Sequence, residues 1–157
     1  MNFRRILVPV DFSEHSHAAL RMALEVARDS AAHITLMHVG VLPYYANTEL
    51  GWSTGTTELF GDLQDRLAKE QVKALEILAE KELPEAVDRD YVLVQGYPPA
   101  EIAKQVEGGK HDLVIMGTHG RTDISRALLG SVTENVVRHA PCPVLVVREN
   151  EHEFIET

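Results

Sequence analysis

The sequence predicts an α/β protein in which helices cover both faces of a five-stranded parallel sheet. Aliphatic runs of four to six residues recur along the chain. Amphipathic segments with apolar residues spaced by three and four lie between these runs. Strands that are aliphatic on both sides, alternating with helices, are typical of a parallel sheet buried between two helical layers.

The first half of the chain contains two predicted strands and two predicted helices. The first strand covers 6–10, and Ser13 then offers an N-cap for a helix. The second strand covers 34–39 and leads into an irregular segment, about Gly40 to Gly55, whose length suits either a functional lid or a simply mobile loop. A long amphipathic helix is marked from Leu59 onward and stops near Pro84.

The second half contains three further predicted strands, at 91–94, 113–116 and 144–147. A short helix begins with Pro98 and Pro99 and ends at the glycine pair 108–109, and another helix begins near Ser131. No repeat or linker interrupts this order. The sequence therefore predicts one domain over 1–148 and an acidic, flexible tail over 149–157.

Composition excludes several classes of function. A formal net charge of −9 argues against a nucleic-acid partner, because polyanions are bound largely through lysine and arginine. No apolar run approaches the ~20 residues that span a bilayer, so no membrane partner is expected. Cys142 is the only cysteine, which excludes an internal disulfide and agrees with a reducing, cytoplasmic location.

The loops after the first and fourth strands are the predicted ligand site, because open parallel sheets bind ligands beyond the carboxyl ends of their strands. Asp11 directly follows the first strand. Its carboxylate is placed to accept hydrogen bonds from ribose hydroxyls or to approach a metal ion. It could equally share the capping of the first helix with Ser13, and both interpretations stay open.

Three glycines distinguish the segment after the fourth strand. Gly117 and Gly120 allow a tight turn that brings bare amides close to a ligand, and Gly130 leads into the next helix. The first amides of that helix, with the hydroxyls of Ser131 and Thr133, form a natural phosphate site. Ser131 is also followed three residues later by a glutamate, the spacing of a capping box, which gives it a purely structural alternative.

The remaining histidines and the cysteine carry no site prediction. His15 and His17 are two residues apart on a helix and cannot converge on one metal ion, so they and His111 are interpreted as surface or helix-end residues. His139 is placed at a helix C-terminus, where it meets the negative end of the dipole. Cys142 is interpreted as a small core residue.

Neither a P-loop nor a Gly-x-Gly-x-x-Gly turn is present. The glycine segment instead resembles the universal stress protein family, whose ATP-binding branch carries Gly, two residues, Gly, nine residues, Gly and then Ser or Thr. The spacing of Gly117, Gly120, Gly130 and Ser131 fits this pattern. Segments 6–13, 112–117 and 141–147 are also similar to the family, and the resemblance covers about residues 3–148.

The resemblance implies a Rossmann-like, adenine nucleotide α-hydrolase-like fold with strand order 3-2-1-4-5. ATP would lie between strands one and four, with Mg²⁺ or Mn²⁺ held mainly through its phosphates. Backbone groups of Val39 would face adenine, and Asp11 would lie near the ribose or the metal ion. The implied nucleotide-binding residues are Pro9, Val10, Asp11, Val39, Met116, Gly117, His119, Gly120, Arg121, Gly130, Ser131, Val132 and Thr133.

The expected function is that of an ATP-dependent binding or signalling module in a stress response. One alternative is a slow ATPase or a nucleotidyl-transfer enzyme of the same fold, which the lack of a convincing general base disfavours. A second is a nucleotide-free structural dimer, which the intact glycines disfavour. A homodimer is expected through the exposed aliphatic edge of the final strand, Val144, Leu145, Val146 and Val147.

Overall fold

The computed structural model describes residues 2–41, 54–119 and 129–149. Most of the irregular segment between Gly40 and Gly55, and the tail beyond Glu149, therefore lie outside the described residues. In chain order the elements are β1 Arg5–Pro9, α1 Glu14–Ser30, β2 His33–Gly40, α2 Thr54–Glu82, β3 Arg89–Gln95, α3 Pro98–Gly109, β4 Leu113–Gly117, α4 Ser131–His139 and β5 Val144–Val147.

The five strands form one parallel sheet in the order β3-β2-β1-β4-β5. Strand β1 lies at its centre, paired from Arg5 with His33 on one side and from Ile6 with Leu113 on the other. This confirms the predicted fold class and strand order. None of the helices in the described ranges is long and apolar enough to cross a membrane.

Alternate residues of each strand enter two separate cores. On one face Ile6, Val8 and Leu36 pack with α1 and α2, and on the other Leu7 and Met37 pack with α3 and α4. Side chains alternate across a strand, so an aliphatic residue at every position serves both faces. Full burial of each large aliphatic side chain stabilises the fold by about 1.5–3 kcal/mol.

One helix boundary differs from the expected one. Helix α2 begins at Thr54, several residues before Leu59, which was its first predicted marker. Helix α3 ends at the predicted glycine pair, since Gly109 is its last residue, and Lys110 takes the left-handed C-cap conformation with φ of 52°. A β-carbon at Gly109 would overlap the His111 ring, so only glycine fits at this position.

His111 lies just after the end of α3 and outside β4, as predicted, but it is a core residue and not a surface histidine. It is 5% exposed, its Nδ1 lies 3.0 Å from the Gln105 carbonyl oxygen, and its Nε2 lies 3.1 Å from Thr35 Oγ1. The carbonyl can only accept, so Nδ1 carries the hydrogen and Nε2 accepts from the threonine hydroxyl. The last turn of α3 thus supplies a partner that the sequence did not reveal.

The pKa of His111 predicts an acid-sensitive contribution to folding. Burial lowers this pKa below the ordinary value of 6.5, so the unfolded chain binds the proton more readily than the folded protein. The free energy of unfolding should therefore fall as pH decreases from 6.5 toward the folded-state pKa, and level off below it. Urea unfolding of the wild type and a His111→Gln variant between pH 7.5 and 5 measures this.

The variant should be less stable at pH 7.5, by about 1–3 kcal/mol for the lost buried hydrogen bonds. Its free energy of unfolding should also decline less steeply as the pH falls, because glutamine does not titrate. The other histidines are common to both proteins, so their contributions cancel. Equal slopes in the two proteins would contradict the assignment.

Cys142 is half-buried and packs against the core between the sheet and helices α3 and α4. Burial raises the pKa of its thiol, which keeps the reactive thiolate scarce at neutral pH. This agrees with its interpretation as a small packing residue.

Candidate functional site

A cavity opens beyond the carboxyl ends of β1 and β4, where the topology of the sheet switches. The chain leaves β1 toward β2 on one side and returns through α3 to β4 on the other. The two crossovers diverge and leave a crevice of the kind in which parallel sheets bind ligands. Its volume is about 410 Å³, and small-molecule sites measure roughly 300–1,000 Å³.

The sequence-predicted site residues that the structure describes are all brought together at this cavity. Gly120 and Arg121 lie outside the described residues. The others come from the ends of β1, β2 and β4 and from the start of α4, and they are Pro9, Val10, Asp11, Val39, Met116, Gly117, His119, Gly130, Ser131, Val132 and Thr133.

Sequence reasoning missed several lining residues that come from other elements. Gln71 reaches the cavity from the middle of α2, and its Oε1 accepts a hydrogen bond from Gln95 Nε2 at 3.3 Å. Gly40 leaves room for Gln95, because a β-carbon at position 40 would meet the Gln95 side chain. Of these missed residues, His38 could have been found from the sequence, because it is a polar residue within an aliphatic strand. The missed residues are Ser16, Met37, His38, Val41, Gln71, Pro98 and Ile102.

In the turn between β1 and α1, one carboxylate oxygen of Asp11 accepts hydrogen bonds from Ser13 and the other does not. Asp11 Oδ1 accepts the Ser13 amide at 3.0 Å and the Ser13 hydroxyl. Ser13 in turn is the N-cap of α1, accepting the Ser16 amide. None of the described residues donates a hydrogen bond to Oδ2. Capping and a ligand contact are therefore compatible at Asp11.

Phe12 holds this turn in an unusual conformation. Its φ of 64° lies in the left-handed region, which non-glycine residues seldom occupy. Its ring packs on the His38 ring at a centroid distance of 4.7 Å, and His38 Nδ1 donates to the Val10 carbonyl at 2.8 Å. These contacts tie the ends of β1 and β2 together, and strained backbone of this kind is often found at ligand sites.

The main chain of Val39 faces the cavity. The last rung between β1 and β2 is the hydrogen bond from the Val10 amide to the Met37 carbonyl, 2.8 Å long. Backbone groups of alternate residues point to the same side of a strand, so those of Val39 point as Met37 does, past the end of β1. The Gly40 carbonyl points the other way and accepts the Gly96 amide. Val39 thus offers one donor and one acceptor to the crevice.

Gly117, the last residue of β4, is a glycine for lack of space. A β-carbon there would lie 2.8 Å from the carbonyl carbon and oxygen of His15 in the first turn of α1. Its φ is not positive, so a special backbone angle is not the reason. The sequence predicted a glycine here so that the backbone could approach a ligand. The structure instead explains Gly117 by the close approach of the backbone of α1.

The start of α4 has no side-chain cap. Gly130 is the N-cap residue, with φ of −60° and ψ of 152°, and its carbonyl accepts the Glu134 amide at 2.8 Å. The predicted capping box between Ser131 and Glu134 is wrong, because Ser131 is already the first helical residue and the Glu134 carboxylate accepts from Arg138. The amides of the first turn are left at the cavity wall, where the helix dipole is positive.

The Thr133 hydroxyl does not fit the role of a phosphate donor. It donates its hydrogen to the Gly117 carbonyl at 2.9 Å and is 3% exposed. This bond fixes α4 against the end of β4. Only the main chain of Thr133 stays suited to a ligand contact.

Beside the cavity, two buried imidazole nitrogens have no hydrogen-bond partner among the described residues. His119 Nδ1 lies 3.0 Å from Thr118 Oγ1, while its Nε2 is buried with no hydrogen bond to the described residues. His15 Nδ1 is in the same situation, and the two rings are 5.5 Å apart. Buried polar atoms are normally satisfied, so these two nitrogens would need a partner that the described residues do not supply.

Within the described ranges, no cluster of three or more His, Cys, Asp or Glu side chains is arranged to hold a metal ion. Asp11 is the one carboxylate among the described residues that line the cavity.

Comparison with known proteins decides the family. The family model described as the universal stress protein family matches residues 2–148. The chain belongs to the universal stress protein family. Its match extends over the whole fold described above, so the glycine spacing that pointed to the family is one part of a likeness that runs from residue 2 to residue 148.

The relatives of this universal stress protein include archaeal proteins of similar length. Universal stress protein MJ0531 of Methanocaldococcus jannaschii is 33% identical over 152 residues, covering 96% of this chain and 85% of the relative. The solved structure of MJ0577 from the same organism has a TM-score of 0.79 at 34% identity, covering 94% of this chain and 97% of that one.

Two more distant solved structures contain nucleotides. A universal stress protein in complex with cAMP has a TM-score of 0.59 at 24% identity, and the match covers 96% of this chain and 100% of that one. One from Archaeoglobus fulgidus in complex with dAMP has a TM-score of 0.59 at 22% identity, covering 93% and 98%. At these identities the likeness to this universal stress protein shows the shared fold alone.

Proposed function

We propose that this protein is an ATP-binding module of a stress response, in which nucleotide occupancy changes a surface that a partner recognises. The observation that carries the proposal is the start of α4, which lacks a side-chain cap and lines the cavity. Amides at such a helix start bind phosphate oxygens, helped by the positive end of the dipole. The nucleotide complexes of two fold relatives support the same ligand class.

The adenine base is proposed to bind at the end of β2. The Val39 amide and carbonyl lie two residues beyond the last residue paired with β1, Met37. This donor and acceptor match ring nitrogen N1 and the exocyclic amine of adenine. Guanine carries a donor and an acceptor in the reverse order, which would leave both backbone groups unpaired.

The ribose and the phosphates are proposed to follow along the crevice toward α4. Asp11 Oδ2 is available to accept a hydrogen bond from a ribose hydroxyl. The amides of Ser131 and Val132 would donate to phosphate oxygens, and His119, which also lines the cavity, is a further candidate for this end of the ligand. Gly120 and Arg121, outside the described residues, are proposed for the same end of the ligand.

Mg²⁺ or Mn²⁺ is proposed to accompany the nucleotide, held mainly by phosphate oxygens with Asp11 as the carboxylate in reach. Magnesium commonly binds through one or two carboxylates plus substrate phosphates. When bound, the ion would neutralise phosphate charge in a protein whose own net charge is −9.

A slow ATPase, or a nucleotidyl-transfer enzyme of the same fold, is the second candidate. His119 favours it, because a buried imidazole nitrogen beside the phosphate end could accept a proton from water. The other ring nitrogen of His119 meets only the Thr118 hydroxyl, whereas effective catalytic bases are usually oriented and strengthened by a charged third group. Binding without rapid turnover is therefore the preferred function.

A homodimer through β5 is proposed together with nucleotide binding. Among the described strands β5 pairs with β4 alone, and Leu145 on it is 38% exposed. An aliphatic edge strand favours pairing with a second copy across a twofold axis. The purely structural dimer without nucleotide is the weaker alternative, because it leaves the cavity and the uncapped helix start unexplained. A cytoplasmic location is proposed on the single cysteine.

The test is to denature freshly purified protein, identify any released nucleotide, and then titrate the nucleotide-free protein with ATP, AMP, cAMP and GTP. We expect intact ATP to be released. We also expect ATP to bind at least about tenfold more tightly than GTP, since roughly 1.4 kcal/mol for mismatched backbone groups gives that factor. Turnover with Mg²⁺ should stay far below the ~10 s⁻¹ of a typical enzyme.

GTP serves as the matched control ligand, because it carries the same ribose and triphosphate. Release of ADP with steady turnover would favour the enzyme instead. A folded protein that neither releases nor binds any adenine nucleotide would refute the proposal and leave the structural dimer.

A further inference from the structure

Two glutamine side chains meet where helix α2 passes the carboxyl end of the sheet. Gln95 is the last residue of β3, and its Nε2 donates a hydrogen bond to Gln71 Oε1 at 3.3 Å. Gln71 comes from the middle of α2 and also lines the cavity. Gln71 thus borders the cavity and is held there by a partner on β3.

Gly40 sets the position of this pair. It is paired in register with Gln95 and follows Val39 on β2. A β-carbon at position 40 would overlap the Gln95 carboxamide, which therefore lies against the backbone at the end of β2. The φ of Gly40 is not positive, so its missing side chain serves space and not a backbone angle. Gln71, bonded to that carboxamide, is consequently close to the residue that follows Val39.

The Gln71 carboxamide has four hydrogen-bonding positions. Its oxygen can accept two hydrogen bonds and its nitrogen can donate two. Gln95 donates to the oxygen, so that oxygen is on the side of β3. An acceptor and a donor side by side on one planar group are what glutamine presents to adenine in protein–DNA contacts, where N6 donates to the oxygen and N7 accepts from the nitrogen.

The direction of β2 decides which edge of the base is on the side of Gln71. Within each residue the amide nitrogen precedes the carbonyl along the chain. If adenine N1 accepts from the Val39 amide and the exocyclic amine donates to the Val39 carbonyl, the amine is nearer to Gly40 than N1 is. The edge formed by the amine and N7 then lies beyond Val39, where Gln95 holds Gln71.

We propose that Gln71 is a specificity-determining residue for adenine: its Nε2 donates to N7 of the bound base, and its Oε1 accepts the second hydrogen of the exocyclic amine. This role rests on the proposed function, because it requires an adenine nucleotide at Val39. Guanine has two acceptors, O6 and N7, on the same edge, so its O6 would meet the Gln71 oxygen. The side chain of Gln71 therefore adds to the selection that the backbone of Val39 provides.

Replacing N7 of the nucleotide by carbon isolates the proposed contact. 7-Deaza-ATP keeps N1, the exocyclic amine, the ribose and the triphosphate of ATP. We expect the wild type to bind it about tenfold more weakly than ATP, the factor that corresponds to one lost hydrogen bond. Gln71→Leu should bind ATP at least about tenfold more weakly than the wild type does, and should bind the two nucleotides equally. Calorimetric titration measures the four dissociation constants.

Gln64→Leu is the matched control, because it makes the same change at an exposed position of the same helix. It should retain the affinities of the wild type for both nucleotides. A purely structural role of Gln71 would weaken both nucleotides by one factor in Gln71→Leu and preserve the gap between them.

The outcomes separate this role from the proposed function. Equal binding of ATP and 7-deaza-ATP by the wild type, which requires no variant to fold, would overturn the role of Gln71 and leave ATP binding standing. A gap that persists in folded Gln71→Leu would do the same. A wild type that binds neither nucleotide would refute the proposed function and the role of Gln71 with it.

Discussion

ATP affinity is expected to fall about a hundredfold when Gly130 is replaced by leucine, with the fold retained. The backbone angles at Gly130, φ −60° and ψ 152°, suit any residue, so the substitution strains no dihedral. Gly130 is buried at the cavity wall, and a leucine side chain would occupy the space beside the first amides of α4. Losing two hydrogen bonds to charged phosphates, each worth about 1.5 kcal/mol, corresponds to roughly a hundredfold.

Calorimetric titration with ATP measures the loss, and circular dichroism checks the fold. Gly130→Ser is the milder companion, because serine is favoured at an N-cap and competes for one amide only, with an expected loss of about tenfold. Gly108→Leu is the matched control, since a β-carbon at Gly108 meets no atom within 4 Å. Full ATP affinity in both folded Gly130 variants would exclude phosphate from the start of α4.

Gly117→Val is expected to lower the free energy of unfolding by about 2–3 kcal/mol. A β-carbon at Gly117 would lie 2.8 Å from backbone atoms of His15, which cannot move unless the first turn of α1 moves with them. Overpacking of this kind typically costs about 1–3 kcal/mol. Urea unfolding monitored by circular dichroism measures the loss. ATP affinity should fall as well, because the displaced turn carries Ser16, which lines the cavity.

Gly117→Ala should show the same effect with a smaller size, since it adds only the β-carbon. Gly108→Ala is the control on helix α3 and should be neutral or stabilising by about 0.5–1 kcal/mol. A Gly117→Ala protein as stable as the wild type would mean that α1 yields easily, and would remove the spatial reason for this glycine.

The positions of strands and helices were predictable because their signals are local. Aliphatic runs such as 113–116 and punctuating residues such as Ser13 and Pro98 act within a few positions of themselves. Strand order is different, since periodicity does not say which strands are neighbours. The order 3-2-1-4-5 was available only through the family resemblance, and the pairing of β1 with β4 confirms it.

The candidate site was predictable where its residues follow strand ends and glycines, and not where they come from distant helices. Gln71 lies in the middle of α2, and nothing in its neighbourhood along the chain marks it. The capping box failed because the helix begins one residue earlier than that motif requires, with Gly130 instead of Ser131 as the N-cap. His111 was misread because its partners, Gln105 and Thr35, are supplied by packing.

Helix α2 lines the cavity at Gln71, and residues 61–67 before that position are exposed. Gln71 is the contact, and Leu59 lies twelve residues earlier, about 18 Å along the axis. With this geometry, a tilt of α2 by roughly 5° about Gln71 would move Leu59 by about 1.6 Å. Any change of tilt at the crevice would therefore be larger at Leu59 than at Gln71.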